Sequence, residues 1–323
     1  MRALLLTAAL CSVRGLASSP ASTRGVLLVT FDVDGTLVQG SSAAAQVSAH
    51  ARAFGHAVGK VFAGKDDWEV TVPSPPRVMP PERYHGSTDG IIALNLAYFG
   101  LSVEPAVAHA KLDNVFREMF KYVSRLSDEE VAKGINTLPG VEQQLLSLAK
   151  EVHKGRVKVG LVTGNVEGIA RKKMRAVGLY NTGVFSPATP DQQSWPGEES
   201  TSFLGGFGSD YCFGSIDDLS RINKDRGEQI LIALKRAQSS LAPGQHISKV
   251  IHVGDAPADV LAAKYCSQES RTGGVPVKAI AVCTGKFSRL DLEKVISDAG
   301  PDGWETVVLD KGVGSPDFLD HIK

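Results

Sequence analysis

Cysteine is scarce in this sequence: Cys11, Cys212, Cys266 and Cys283 are scattered over 323 residues and none forms a CxxC pair. No zinc or thiol-exchange motif is therefore present. An excess of charge of one sign is lacking too. Thirty-five Lys and Arg balance thirty-five Asp and Glu, so no net field draws the chain to nucleic acid or to an anionic membrane. No stretch approaches the roughly twenty continuous apolar residues of a membrane helix. Acidic residues are absent before Asp32, while Arg2, Arg14 and Arg24 stand among Ala, Ser and Leu. That composition reads as a targeting extension over 1–24, either an organelle (plastid or mitochondrion) transit peptide or a secretory signal, with an uncleaved cytoplasmic N-terminus as the plain alternative.

What is present is the patterning of a layered domain. With 43% hydrophobic and 22% charged residues the chain can bury a sizeable core. Short, continuous apolar runs recur at Val26–Phe31, Val157–Val162, Lys249–Val253, Val277–Cys283 and Glu305–Leu309, as expected for parallel strands covered on both faces. Helical stretches follow at Val141–Glu151, Val166–Val177, Gly227–Ser239, Ala256–Tyr265 and Asp291–Ala299. The alternation predicts an α/β fold, a doubly wound parallel sheet. From Ser41 to Thr137 no comparable strand is expected. Helical stretches at Ser42–Val58, Gly90–Phe99 and Pro105–Val123, with a Pro-rich connector at Val72–Pro81, suggest instead an inserted helical cap over 41–137, leaving 25–40 and 138–323 as the core. A lid over the strand ends suits the rule that ligands of open α/β sheets bind there.

Three motifs carry the chemistry, each placed after a strand. The first run leads into Asp32-Val33-Asp34-Gly35-Thr36, where alternation points both carboxylates one way. The second ends in Thr163-Gly164-Asn165 at a helix start, which is a ready anion site, or simply a helix cap. The third, KVIHVGDAPAD, brings Asp255 and Asp259, either a capped helix or a second carboxylate pair. Four carboxylates in one site would call for a hard cation with oxygen ligands, and Mg2+ fits that description.

This set, in this order, resembles the haloacid dehalogenase superfamily from Val26 to the C-terminus. The insertion looks like the cap of its phosphoglycolate phosphatase-like members, and His85–Ile92 (HGSTDGII) is similar to the Gly-x-Thr-Asp segment of those caps. The resemblance implies a Rossmannoid core and an Mg2+-dependent phosphatase acting on a small phosphorylated metabolite, phosphoglycolate-like or a sugar phosphate. Asp32 would be the nucleophile and Asp34, protonated at first, the general acid and then base. Asp32, Asp34 (through its carbonyl), Asp255 and Asp259 would hold the metal, while Thr163, Gly164 and Asn165 would bind the phosphoryl group. Thr88 and Asp89 of the cap are candidate substrate contacts. The expected Lys-Pro pair is missing; an Arg at a helix start fills its role in the subset that GGFGSD and DRGEQILIALKRA resemble, which nominates Arg226, with Lys224 as runner-up. A sugar-phosphate mutase, or a binding protein on a retired hydrolase fold, are the competing readings. His85, Trp68, Trp195 and Trp304 are read as bystanders.

Overall fold

The computed structural model describes residues 24–40, 48–65, 86–216, 218, 220–300 and 303–322. The targeting segment, the Pro-rich connector, Trp68 and His85 lie outside the described residues. Six strands form one parallel sheet: β1 (Arg24–Phe31), β4 (Val157–Thr163), β5 (Gly205–Phe207), β6 (Gln245–Gly254), β7 (Val277–Val282) and β8 (Glu305–Leu309). Their spatial order is β5-β4-β1-β6-β7-β8. The chain winds outward from β1 in one direction through β4 and β5, then crosses to β6 and winds the other way. This makes β1 the switch point, where a crevice opens at the strand ends.

The apolar runs become strands because both faces of the sheet are covered. Val29 and Phe31 pack with Leu145 and Leu148 of helix α6 (Val141–His153), Met174 of α7 (Glu167–Ala176) and Phe318 near the C-terminus. Leu28 turns to the opposite face, against Ile230 and Leu234 of α8 (Ser220–Ser239) and Ala262 of α9 (Pro257–Gln268). The period-two alternation thus feeds two aliphatic layers. A last helix, α10 (Arg289–Ala299), precedes β8.

Between residues 38 and 137 lie α1 (Ala49–Ala63), α2 (Asp89–Leu101), α3 (Pro105–His109), α4 (Leu112–Ser124) and α5 (Asp128–Ala132). They are flanked by two short strands, β2 (Val38–Gly40) and β3 (Ile135–Thr137), which pair antiparallel. This ribbon corrects the strand-free expectation for 41–137; three residues are too few to show a hydrophobic period. The predicted Pro105–Val123 helix is broken in two, β5 was not foreseen, and α8 begins at Ser220, well before the expected Gly227.

The helices of the insertion share a core with α7. Val166, Ile169 and the buried Trp195 join Val115, Met119 and Phe120, the Trp195 ring meeting Phe120 edge-on at 5.0 Å. Asp128 pairs with Lys172 at 2.9 Å and Arg175 at 3.1 Å. Trp195 is therefore a wedge between the two layers of the molecule. Among the described residues no helix is long and apolar enough to cross a membrane.

Candidate active site

Sheet register brings the motifs together. Phe31 is level with Leu161 of β4 and Val253 of β6, so Asp32 and Asp255, just after their strands, and Thr163, the last residue of β4, emerge along one edge. Gly35 sits at φ +85°, and a Cβ there would lie 2.3 Å from Asp255 Oδ2. Only glycine permits both that turn and that approach. Thr36 Oγ1 donates to Asp255 Oδ1 at 3.3 Å. A Cβ on Gly164 would meet the Ser87 carbonyl at 2.5 Å, which is how closely the 86–89 segment seats on the second motif; the Asp89 N–H donates to the Gly164 carbonyl at 2.7 Å.

Arg226 is the cation that faces the nucleophile candidate. It is 2% exposed, with Nη1 3.5 Å from Asp32 Oδ1 and Nε 3.2 Å from Asp259 Oδ1. It lies inside α8 and not at its start, because the helix begins six residues earlier. Lys224, half-buried on another face of the helix, acts electrostatically on Asp218. Asp259 is saturated: Oδ1 also faces His252 Nε2 at 3.3 Å and Oδ2 accepts from the Ala256 N–H at 3.1 Å. His252 in turn meets the Thr30 hydroxyl at 3.1 Å. Although burial raises the Asp259 carboxyl, Arg226 and His252 outweigh it and hold it below its ordinary value.

Asp32 and Asp255 are not neutralised in this way. Burial, helped by Asp259 and Asp34 and opposed by Arg226 and a hydrogen bond from Thr163, pushes the Asp32 carboxyl up to about 7. Burial and the charge of Asp32 push Asp255 well above the carboxylate range. Oxygen atoms of Asp32, Asp255 and Asp259 lie within 4.8 Å of one another. Under-neutralised carboxylates that close fit a hard divalent cation, and Asp32 and Asp255 have the spare capacity to hold it.

Asp34 has a different environment. Its carboxylate accepts from Lys173 Nζ at 2.7 and 2.9 Å and from Asn165 Nδ2 at 2.9 Å. Partial burial would raise it, but the charge of Lys173 and these hydrogen bonds hold it at about 2. Asp34 is thus ionised at rest, which corrects the expectation of an initially protonated acid. The reason is Lys173, which the sequence reading missed.

Thr88, fully buried, caps α2 by accepting from the Ile91 N–H at 3.4 Å. Asp89 lines the cavity but is engaged, accepting from the Val166 N–H at 2.8 Å and facing His50 Nε2 at 2.9 Å. Ser87 Oγ, buried and also lining the cavity, has no hydrogen-bond partner among the described residues. Thr163 Oγ1 accepts from Asn165 Nδ2 at 3.0 Å. The cavity, about 540 Å³, is lined by Asp32, Asp34, Asn165, Lys173, Arg226 and Asp255, with His50, Phe54 and Ile92 from the insertion and Phe287 from the core also bordering it. Lys173 lies eight residues after Asn165, about two helical turns on, which brings it back to the motif at the helix start; that spacing is the signal that could have found it.

The model of the family described as haloacid dehalogenase-like hydrolase matches residues 26–266. Among curated proteins, none matches the chain. Similar solved structures include a haloacid dehalogenase-like family hydrolase of Streptococcus pneumoniae, 15% identical over 92% of this chain and 99% of that one, with a TM-score of 0.40. Another is a β-phosphoglucomutase of Clostridium difficile, 13% identical over 92% and 96%, with a TM-score of 0.45. A third is described as a predicted phosphatase of Clostridium acetobutylicum, 13% identical over 87% and 94%, with a TM-score of 0.38.

Proposed function

Because the chain belongs to the haloacid dehalogenase-like hydrolase family, we propose that it is an Mg2+-dependent phosphatase that cleaves a small phosphomonoester through a phosphoaspartate on Asp32. One observation carries this reading: a buried carboxylate at the end of β1 lies 3.5 Å from Arg226 and within 4.8 Å of ligand oxygens of Asp255 and Asp259. That is a nucleophile with a positive group beside it and a cation site behind it.

Asp32 attacks the phosphorus, forming an acyl phosphate as the ester P–O bond breaks. Arg226, the Asn165 N–H and the Thr163 hydroxyl bind the phosphoryl oxygens and offset their charge. Asp34 passes a proton to the departing alkoxide. It is ionised in the resting site; the negative charge of the arriving phosphate raises its pKa, so that it takes up from solvent the proton it then passes on. As a carboxylate again, it takes a proton from the water that hydrolyses the acyl phosphate. Asp32 and Asp255, with the Asp34 carbonyl, would hold Mg2+, which would supply the positive charge that lets carboxylates and phosphate share the site.

The test is phosphate release from phosphoglycolate, sugar phosphates and nucleoside monophosphates, with and without magnesium. Wild-type protein should turn over at least one of them in magnesium only. Asp32→Asn should be inactive and folded; wild-type turnover by that variant overturns the reading.

A further inference from the structure

Lys173 is a buried ammonium that the reaction above leaves without a task. Burying one is costly unless its donors are met. Here all three N–H groups find acceptors: the Asp34 carboxylate at 2.7 Å, Asn165 Oδ1 at 2.7 Å and His50 Nδ1 at 3.0 Å. An ammonium has no lone pair to share, so in this contact His50 Nδ1 is the acceptor, which leaves Nε2 as the ring's donor. That nitrogen points at Asp89 Oδ2, 2.9 Å away, which also accepts from the Val166 N–H.

The chain of contacts crosses the molecule twice. Val166, Asn165 and Lys173 belong to the α7 segment, whereas His50 lies in the first turn of α1 and Asp89 in the first turn of α2. Both inserted helices therefore reach the acid–base candidate through one ammonium. Lys173 contacts both carboxylate oxygens of Asp34, which restrains rotation of a side chain that is otherwise 47% exposed. An apolar residue would fill the same space without fixing that orientation. Remove His50, and the ammonium loses the one contact that ties it to α1, keeping only Asp34 and Asn165.

We propose, building on the phosphatase reading, that Lys173 is a positioning residue for Asp34. His50 and Asp89 seat it, so that the Asp34 carboxylate is aimed at the leaving oxygen only while α1 and α2 rest on α7. Substrate release and acid–base competence are then linked through a single side chain.

The experiment compares Lys173→Met and His50→Ala with wild type on two esters, p-nitrophenyl phosphate, whose leaving group needs no proton, and glycerol 2-phosphate, whose alkoxide does. Amide hydrogen exchange over 49–63 and 89–101 is followed on the same proteins. Both variants should lose kcat on glycerol 2-phosphate by on the order of 10²-fold with KM little changed, while p-nitrophenyl phosphate stays within about threefold. Exchange at the starts of both helices should quicken in each variant. Equal losses on the two esters, or unchanged exchange, overturn the proposal; His50→Ala keeps the test open if Lys173→Met does not fold. Wild-type protein that hydrolyses neither ester would instead sink the phosphatase reading, and the exchange measurement alone would then decide whether the ammonium ties the helices to α7.

Discussion

On the core side of the cleft, Asp32 and Asp255 face each other with Arg226 as the adjacent cation, and both carboxyls are pushed upward. Beside them, still on the core, Asp34 is held at about 2 by Lys173. The two clusters are built on carboxylates two positions apart and treat charge in opposite ways. The first leaves negative charge uncompensated, so it is built to receive something positive. The second supplies its own countercharge from within the protein, so it is ordered before any ligand arrives.

The contrast can be broken most sharply at the nucleophile. Asp32→Asn should lower phosphate release by on the order of 10³-fold or more, yet melt no lower than wild type in the absence of magnesium, since it relieves repulsion at the core cluster. A lower melting temperature would mean that cluster is not strained. Next is Arg226→Ala, with an expected loss of about 10²- to 10³-fold, against no measurable loss for Lys224→Ala. If the reverse is found in phosphate-release assays, the basic role moves to Lys224.

Magnesium at a hundred times its dissociation constant should stabilise the protein by about 2.7 kcal/mol, read as a rise in melting temperature that a chelator reverses. Asp255→Asn should abolish this rise. Asp34→Asn should keep it, because the Asp34 side chain belongs to the compensated cluster.

The smallest effect separates the clusters by the sign of their pH dependence. Asp32 is raised from 3.8 to about 7, so the folded, metal-free protein holds a proton that the unfolded chain gives up. Its contribution to stability is complete below about pH 4 and is lost as pH rises to about 7. Asp34 is lowered to about 2; its contribution is present above about pH 4 and fades as pH falls towards 2. Melting curves of Asp32→Asn and Asp34→Asn across pH 2–8 should each lose one limb. Retention of both limbs in either variant would remove the distinction.

Much of this was legible beforehand. Five of the six sheet strands announce themselves because both faces of the sheet are buried, and Asp32, Thr163 and Asp255 stand at or just beyond the ends of their strands. The strand β5 was missed because Gly205-Gly206-Phe207 has only one large apolar side chain. Thr88 and Asp89 read as cleft residues, yet Thr88 is occupied as a helix cap and Asp89 with His50 and Val166. Among the cations from Arg171 to Arg175, Arg171, Lys172 and Lys173 are all buried, and only the spacing from Asn165 points to Lys173.

The amino-acid order by itself determined where chain segments enter the buried sheet and which acidic groups stand at their ends, because burial and period-two alternation are local properties. Which cation answers which carboxylate was decided only by tertiary structure. Arg226 reaches Asp32 across 194 residues and Lys173 reaches Asp34 across 139. Such pairings depend on helix packing angles and strand register, and Coulomb attraction acts through space without regard to sequence distance.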